Sequence, residues 1–400
     1  MKHEPQPRPL SIYVVAAEES GDALGAALAR ALLAQCGGAV KLSGVGGQAM
    51  AAAGIASAFP IEELSIIGLN AIPRRLPMIL RRIRETAAAI VAAQPDALVI
   101  IDSPDFTHRV ARSVRRLAPT IPILDYVSPS VWAWRPGRAR AMRDYIDCVL
   151  AILPFEPAAH VRLGGPPCIY VGHPLIERAA ELRPDAEEAQ RRKADPPLIL
   201  ALPGSRSSEI RRLIGIFGDA IARIATRVGP IEVVLPTVPH LASRVRDAVG
   251  GWAVTPRIVV EPAAKWAAFR TARAALAASG TVTLELALAG VPTIAAYRIS
   301  LIEELVARLG GVRTRLASVI LANLVLGENV VPEFLQRDCT AEKLADALTP
   351  LLRLDSPERA RQVAAFSRID GLMKVNSTPS EEAAALVLNA AKGRAALTAC

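Results

Sequence analysis

Residues 11–33 read SIYVVAAEESGDALGAALARALL: an apolar run that ends at Ala17, a polar turn over Glu18–Gly21, and a helical run from Asp22 to Leu33. An unbroken apolar run giving way to 3.6-residue spacing marks a strand buried on both faces that feeds a helix. The same unit recurs. Lys41–Gly46, Ala97–Asp102 (ALVIID), Ile121–Val127, Cys148–Leu153 and Cys168–Val171 read as further strands, with helical stretches such as Pro77–Ala93 between them. Such alternation implies an α/β fold with a doubly wound parallel sheet and right-handed crossovers. A charged stretch without a strand candidate, Arg178–Pro197, then interrupts the rhythm. The alternation restarts at Leu198–Leu202, Glu232–Leu235, Arg257–Val260, Ala274–Ala278 and Thr293–Ala296. Two domains are therefore expected, residues 1–185 and 186–400, with the helical segment Ser356–Ala391 closing the second.

Composition narrows the function classes. The chain has 400 residues, more than one core usually organises. With 4% aromatics, the core must be built from Ala, Leu, Val and Ile. The net charge of +9 suits an anionic partner, a phosphate-bearing substrate or an acidic lipid surface. The basic residues are dispersed and rich in arginine, which argues against a nucleic-acid-binding face. Cys36, Cys148, Cys168, Cys339 and Cys400 are scattered without metal-ligand spacing, so reduced thiols in a cytoplasmic setting are expected. Met1–Leu10 lacks the apolar centre of a signal peptide. The most apolar long stretch, Ala272–Tyr297, is broken by Arg273, Gly280, Glu285, Gly290 and Pro292. No stretch has the run of about 20 apolar residues that spans a bilayer, so a protein at most resting on a membrane surface is expected.

Ligands of doubly wound sheets bind at the carboxyl ends of the strands, so the loops that follow strands carry the information. Ser20, Gly21 and Asp22 stand at the first such loop. Ser20 or Asp22 can cap the helix and Gly21 can permit the turn, or the three can meet a sugar hydroxyl of an acceptor. The strand ending at Asp102 runs into Ser103-Pro104-Asp105-Phe106. A carboxylate at the end of a buried strand suits a general base, so Asp102 takes that role and Asp105 an orienting or helix-capping one. Tyr126–Arg135 (YVSPSVWAWR) places Trp132 and Trp134 beside Ser128, Ser130 and Arg135 after another strand, a composition suited to walling a sugar ring or acyl chain.

In the second half, Gly204, Ser205 and Arg206 follow one strand, and Ser279, Gly280 and Thr281 follow another, with Glu285 a turn later. Gly204 permits backbone approach, Arg206 offers a fork for diphosphate oxygens, the helix start at 279–281 offers amides, and Glu285 can hold a ribose diol. Asn323, Glu328 and Gln336 form a late polar stretch able to complete a nucleotide site. Arg74–Arg84 mixes basic and apolar residues, as a solvated helix face or an anionic membrane contact would.

Taken in order, these segments together with Leu153-Pro154-Phe155-Glu156, Gly172-His173-Pro174 and Ala322-Asn323-Leu324 resemble the lipid-A-disaccharide synthases over nearly the whole chain. The run from Tyr126 to Arg135 is the most specific part; the Gly204 and Ser279 motifs occur in other GT-B enzymes. Two positions depart from the family pattern: Ala17 where Gly is common, and Thr107 where Asn is common. The resemblance implies a GT-B fold, two doubly wound domains facing across a cleft, with the nucleotide held by the C-terminal one. It implies inverting transfer from UDP-2,3-diacylglucosamine to 2,3-diacylglucosamine 1-phosphate (lipid X), giving a β-1,6 disaccharide and UDP. It also implies no metal or other cofactor, a peripheral place on the cytoplasmic face of the inner membrane, and a possible swapped homodimer. A UDP-sugar epimerase or the peptidoglycan N-acetylglucosamine transferase would share the second-domain loops but not the tryptophan loop. A catalytically dead scaffold would not keep every polar loop residue.

Overall fold

The computed structural model describes residues 8–64, 72–299 and 318–393, and of residues 72–75 only the backbone. The chain forms two compact units, Met1–Pro174 with Val375–Cys400, and Leu175–Lys374. The first unit is built on β1 (Leu10–Ala16), β2 (Val40–Val45), β3 (Ala97–Ile101), β4 (Ile123–Tyr126), β5 (Cys148–Ala151) and β6 (Cys168–Tyr170). They lie in the order β2-β1-β3-β4-β5-β6, every neighbouring pair parallel. The connecting helices are α1 (Glu19–Gln35), α2 (Gln48–Ala52), α3 (Ile72–Ala93), α4 (Thr107–Leu117), α5 (Gly137–Met142) and α6 (Glu156–Leu163). Strand β1 shows why its sequence carries no polar alternation. Ile12, Val14 and Ala16 enter the core on one face of the sheet, and Tyr13 and Val15 enter the core on the other.

The second unit opens with α7 (Ala179–Leu182) and α8 (Ala186–Lys193). Its sheet comprises β7 (Leu198–Leu202), β8 (Glu232–Pro236), β9 (Arg257–Val259), β10 (Ala274–Ala278), β11 (Thr293–Tyr297) and β12 (Glu333–Leu335), in the order β12-β11-β10-β7-β8-β9. All its pairings are parallel as well. Around it lie α9 (Ser207–Val228), α10 (Ala242–Val249), α11 (Pro262–Thr271), α12 (Val282–Leu288), α13 (Leu321–Leu326), α14 (Ala341–Leu352), α15 (Pro357–Phe366) and α16 (Ile369–Leu372). The last helix, α17 (Pro379–Ala391), belongs to the first unit. In each sheet the order reverses beside the first strand of the unit, so one crevice opens between β1 and β3 and another between β7 and β10.

Eleven strands stand within two residues of where the sequence places them. The twelfth, β12, is half-buried, three residues long and directly after Pro332, which leaves no periodic signal to read. The division at residue 185 needs correcting in two ways. The boundary is at Pro174/Leu175, because the residues before α8 already pack on the second unit: Arg270 donates to the Glu181 carbonyl, Arg183 pairs with Asp370, and the Arg178 guanidinium lies 4.8 Å from the Trp266 ring centre. And α17 leaves the second unit: its Ala383, Ala384, Val387 and Leu388 complete the core beneath β1 and α1. Periodicity reveals an apolar face but not which sheet receives it. Met1–Pro7, Cys400 and the side chains of Arg74 and Arg75 lie outside the described residues. Of the basic stretch that follows, Ile83, Ala87 and Ile90 are buried, while Leu76, Leu80, Arg81 and Arg84 face outward.

Candidate active site

At the first crevice, Gly21 lets α1 approach the end of β3. A Cβ there would stand 3.3 Å from the Ile101 carbonyl oxygen. This brings Ser20 to Asp102, its Oγ donating to Oδ2 over 3.4 Å. Asp102 follows β3 in a left-handed conformation (φ 51°), and so does Ser103 (φ 45°). Such backbone is held only where the surroundings over-determine it. Here the Asp102 amide donates to the Tyr126 carbonyl, the Ser103 amide donates to Asp102 Oδ1, and buried Thr107 Oγ1 donates to the carbonyls of Asp102 and Ser103. Thr107 therefore stitches the turn that presents Asp102, which gives the departure at that position a role. Asp102 is half-buried.

Two expected roles change. Asp22 is buried and accepts from the amides of Gly47 (2.7 Å), Ala49 (2.8 Å) and Met50 (3.0 Å), so it caps α2 and not α1, the helix it stands on. Asp105 caps nothing: its side chain is 83% exposed and accepts from Arg138 of α5 over 3.1 Å, tying the Asp102 turn to the helix after the tryptophan loop.

The tryptophan loop leaves β4 beside that turn. Trp134 is 38% exposed with the Arg135 guanidinium 5.5 Å from its ring centre, and Ser130 is exposed. Trp132 is half-buried, its ring edge-on to Phe155 at 5.2 Å, and its Nε1 donates to Glu156 Oε1 over 3.2 Å. Ser128 is buried, its Oγ 2.8 Å from His160 Nε2. Burial pushes the Glu156 carboxyl up to about 8 and holds His160 below its usual range.

The second crevice holds a cavity of about 320 Å³. Gly204, Ser205 and Arg206 line it from the end of β7, and Ser279, Gly280, Thr281 and Glu285 line it from the end of β10. The two motifs, 75 residues apart in sequence, are brought together as expected. Gly204 has φ +120°, and a Cβ there would meet Glu209 Oε2 at 2.5 Å. Glu209 accepts from the amides of Ser205 and Arg206 and from the Arg206 guanidinium, so this helix start already holds a carboxylate of its own. Arg206 remains 78% exposed and able to turn toward a ligand. Ser279 is less available: its amide donates to Ala296 and its Oγ to Val319.

Sequence reasoning missed the strongest charge pair of the cavity, Lys265 Nζ to Glu285 Oε2 at 2.7 Å. Lys265 stands in the otherwise apolar stretch Pro262–Phe269 just after a strand, which was the available signal. It also missed Thr237, whose buried Oγ1 has no partner among the described residues and whose side chain borders the same cavity. Asn323, Glu328 and Gln336 are absent from the lining. Buried Asn323 accepts the amides of Val330 and Val331 and donates to the Val331 carbonyl; Glu328 pairs with Arg368 at 2.5 Å; Gln336 accepts the Ile299 amide. All three shape loops, a use that polar composition cannot distinguish from ligand binding.

A family model described as lipid-A-disaccharide synthetase matches residues 12–387. The chain belongs to this family. It is 59% identical over 378 residues to the lipid-A-disaccharide synthase of Nitrobacter hamburgensis, with 94% of each chain covered. The protein of that name from Rhodospirillum centenum is 43% identical over 392 residues, covering 96% of this chain and 95% of its own. Among solved structures, Acinetobacter baumannii MurG matches with TM-score 0.54 at 15% identity, covering 95% of this chain and 100% of that one. A Neisseria meningitidis UDP-GlcNAc 2-epimerase bound to UDP-GlcNAc matches with TM-score 0.54 at 13% identity, covering 96% and 97%. These likenesses bear on the fold alone, which is GT-B: two Rossmann-like units, as the sequence predicts. As a member of the family the chain is a disaccharide-forming glycosyltransferase of lipid A synthesis.

Proposed function

We propose that the chain transfers diacylglucosamine from UDP-2,3-diacylglucosamine to the 6-hydroxyl of 2,3-diacylglucosamine 1-phosphate. The observation that carries this reading is the cavity between β7 and β10, where Gly204–Arg206 and Ser279–Thr281 meet beside Lys265 and Glu285. Its size and mixed lining suit a nucleoside diphosphate. Glu285 offers oxygens to a ribose diol, and Lys265 and Arg206 supply positive charge for the diphosphate in place of a metal. Asp102, steadied by Ser20 and the Ser103 amide, takes the proton of the acceptor hydroxyl as its oxygen attacks the anomeric carbon. The bond to the UDP oxygen breaks in the same step, and the departing negative charge falls on the diphosphate. Trp132, Trp134 and Arg135 line the acceptor side.

The test is turnover of the purified chain with both lipids in detergent, with and without EDTA. Acceptor-dependent UDP release with a disaccharide product, unchanged by EDTA, is expected. UDP binding without product would overturn the substrate pair. Loss with EDTA and recovery with a divalent cation would overturn the metal-free reading.

No helix among the described residues is long and apolar enough to cross a membrane. We propose peripheral attachment to an anionic membrane through the outward face of α3, where exposed Leu76 and Leu80 stand beside Arg81 and Arg84. Co-sedimentation with phosphatidylglycerol vesicles, weakened by salt, is expected; equal binding to neutral vesicles would overturn it. A homodimer formed by exchange of α17, which here packs on its own chain, would show as a doubled mass in light scattering.

A further inference from the structure

The segment Leu153-Pro154-Phe155-Glu156 and the helix it opens have no part in the reaction just described, yet they place two ionisable side chains in the interior. Glu156 and His160 are one turn apart on α6, so they share a face, and both are almost wholly buried, at 2% and 1% exposure. Each reaches a different end of the same loop. His160 Nε2 lies 2.8 Å from Ser128 Oγ, and Glu156 Oε1 accepts from Trp132 Nε1 at 3.2 Å while Oε2 accepts the Leu153 amide at 3.1 Å.

The loop needs such bracing. Val127 enters it at φ 81° and Arg135 leaves it at φ 52°, conformations that a β-branched or bulky residue keeps only under constraint. Phe155 adds an edge-on contact to the Trp132 ring, leaving that ring half-buried. Stability alone would favour apolar residues here. His160 Nδ1 and the nearby Asp125 Oδ1 have no hydrogen-bond partner among the described residues, so the cluster is not optimised for stability.

We propose that Glu156 and His160 are positioning residues that hold Ser128 and Trp132 in the shape that receives the acceptor sugar. This rests on the acceptor reading of the tryptophan loop. The ionisation of Glu156 then matters. Burial, reinforced by Asp125, pushes its carboxyl up to about 8 against the donors at Leu153, Trp132 and Ile152. The other ionisable groups of the cluster are His160 on the same helix, Asp125 and Tyr145, which His108 bridges through its two ring nitrogens, and Arg112 over the Tyr145 ring. Near pH 7 Glu156 holds Trp132 as a neutral acid; above pH 8 it ionises with no cation paired to it among the described residues, and the loop opens to admit water to the buried charge.

The test measures acceptor KM, kcat and UDP affinity from pH 7 to 9.5 for the full chain and for W132A, W132F, E156A and E156Q. Expected results are an acceptor KM that rises about tenfold in E156A at pH 7, the worth of one such hydrogen bond, with UDP affinity unchanged. E156Q should recover most of that loss. The alkaline rise in acceptor KM of the wild type should be missing from E156Q and W132F. E156Q as impaired as E156A, an alkaline rise that persists in E156Q, or UDP affinity falling in step would each overturn the proposal. If E156A does not fold, E156Q and W132F still decide it through the pH profile. An acceptor KM unmoved in W132A would instead overturn the acceptor reading beneath it.

Discussion

The crevice between β1 and β3 and the crevice between β7 and β10 arise from the same topology and are equipped in opposite ways. At the first, side chains act: a carboxylate, Asp102, with a hydroxyl beside it, held by left-handed backbone and braced from behind by buried polar residues. At the second, backbone and cations act: Gly204 and Gly280 at positive φ, with Lys265 and Arg206 at the rim. A doubly wound sheet thus supplies only the position of a site. In the proposed reaction, proton removal needs a fixed acceptor oxygen, which Asp102 offers, whereas an anionic leaving group needs positive charge and close approach of the chain, which Lys265, Arg206 and the two glycines offer.

The comparison can be broken most severely at Asp102. D102N should lower turnover by about a hundred- to ten-thousand-fold while UDP binding stays intact, as acceptor-dependent UDP release and calorimetry would read. Near-normal turnover in a folded variant would remove the base from the first crevice. Next in size, R192A strips buried donors from four carbonyls of the second unit and should destabilise it by about 2–4 kcal/mol in urea melts. K265M should weaken UDP binding by roughly ten- to a hundredfold, leaving acceptor KM at saturating donor little changed. If K265M and D102N gave the same signature, the division of labour between the crevices would fail. D22A, which frees three amides at the start of α2, should destabilise the first unit by about 1–2 kcal/mol.

A pH-dependent effect also separates the units. His173 is held at about 4 by burial, below its ordinary 6.5, so the native state binds fewer protons than the unfolded chain between those values. Its contribution to stability is present above pH 6.5 and is lost as pH falls toward 4. Glu156, raised from 4.5 to about 8, has the opposite sign: the native state keeps a proton that the unfolded chain releases, and stability declines as pH rises through that window. Both groups are in the first unit. Melts between pH 4 and 9 should therefore show the first unit varying with pH, with E156Q flattening the alkaline side.

The sequence by itself determined the two doubly wound sheets, because strands covered on both faces must be apolar throughout and the helices between them keep their own period. It also determined which loops meet: Ser20 and Asp102, and the pair of motifs at Gly204 and Ser279, come together as their places after strands require. Tertiary structure decided what periodicity cannot encode. The core that receives α17 was one such matter, since an apolar helix face fits any complementary sheet. The uses of Asp22, Asn323 and Gln336 were another: a polar side chain near a loop binds whichever amides the fold leaves unpaired, and those are known only once the chain is folded. Lys265 and Glu156 were the last. One reaches the cavity between β7 and β10 from the helix after β9, at the edge of the sheet, and the other reaches the tryptophan loop from within, by paths that exist only in three dimensions.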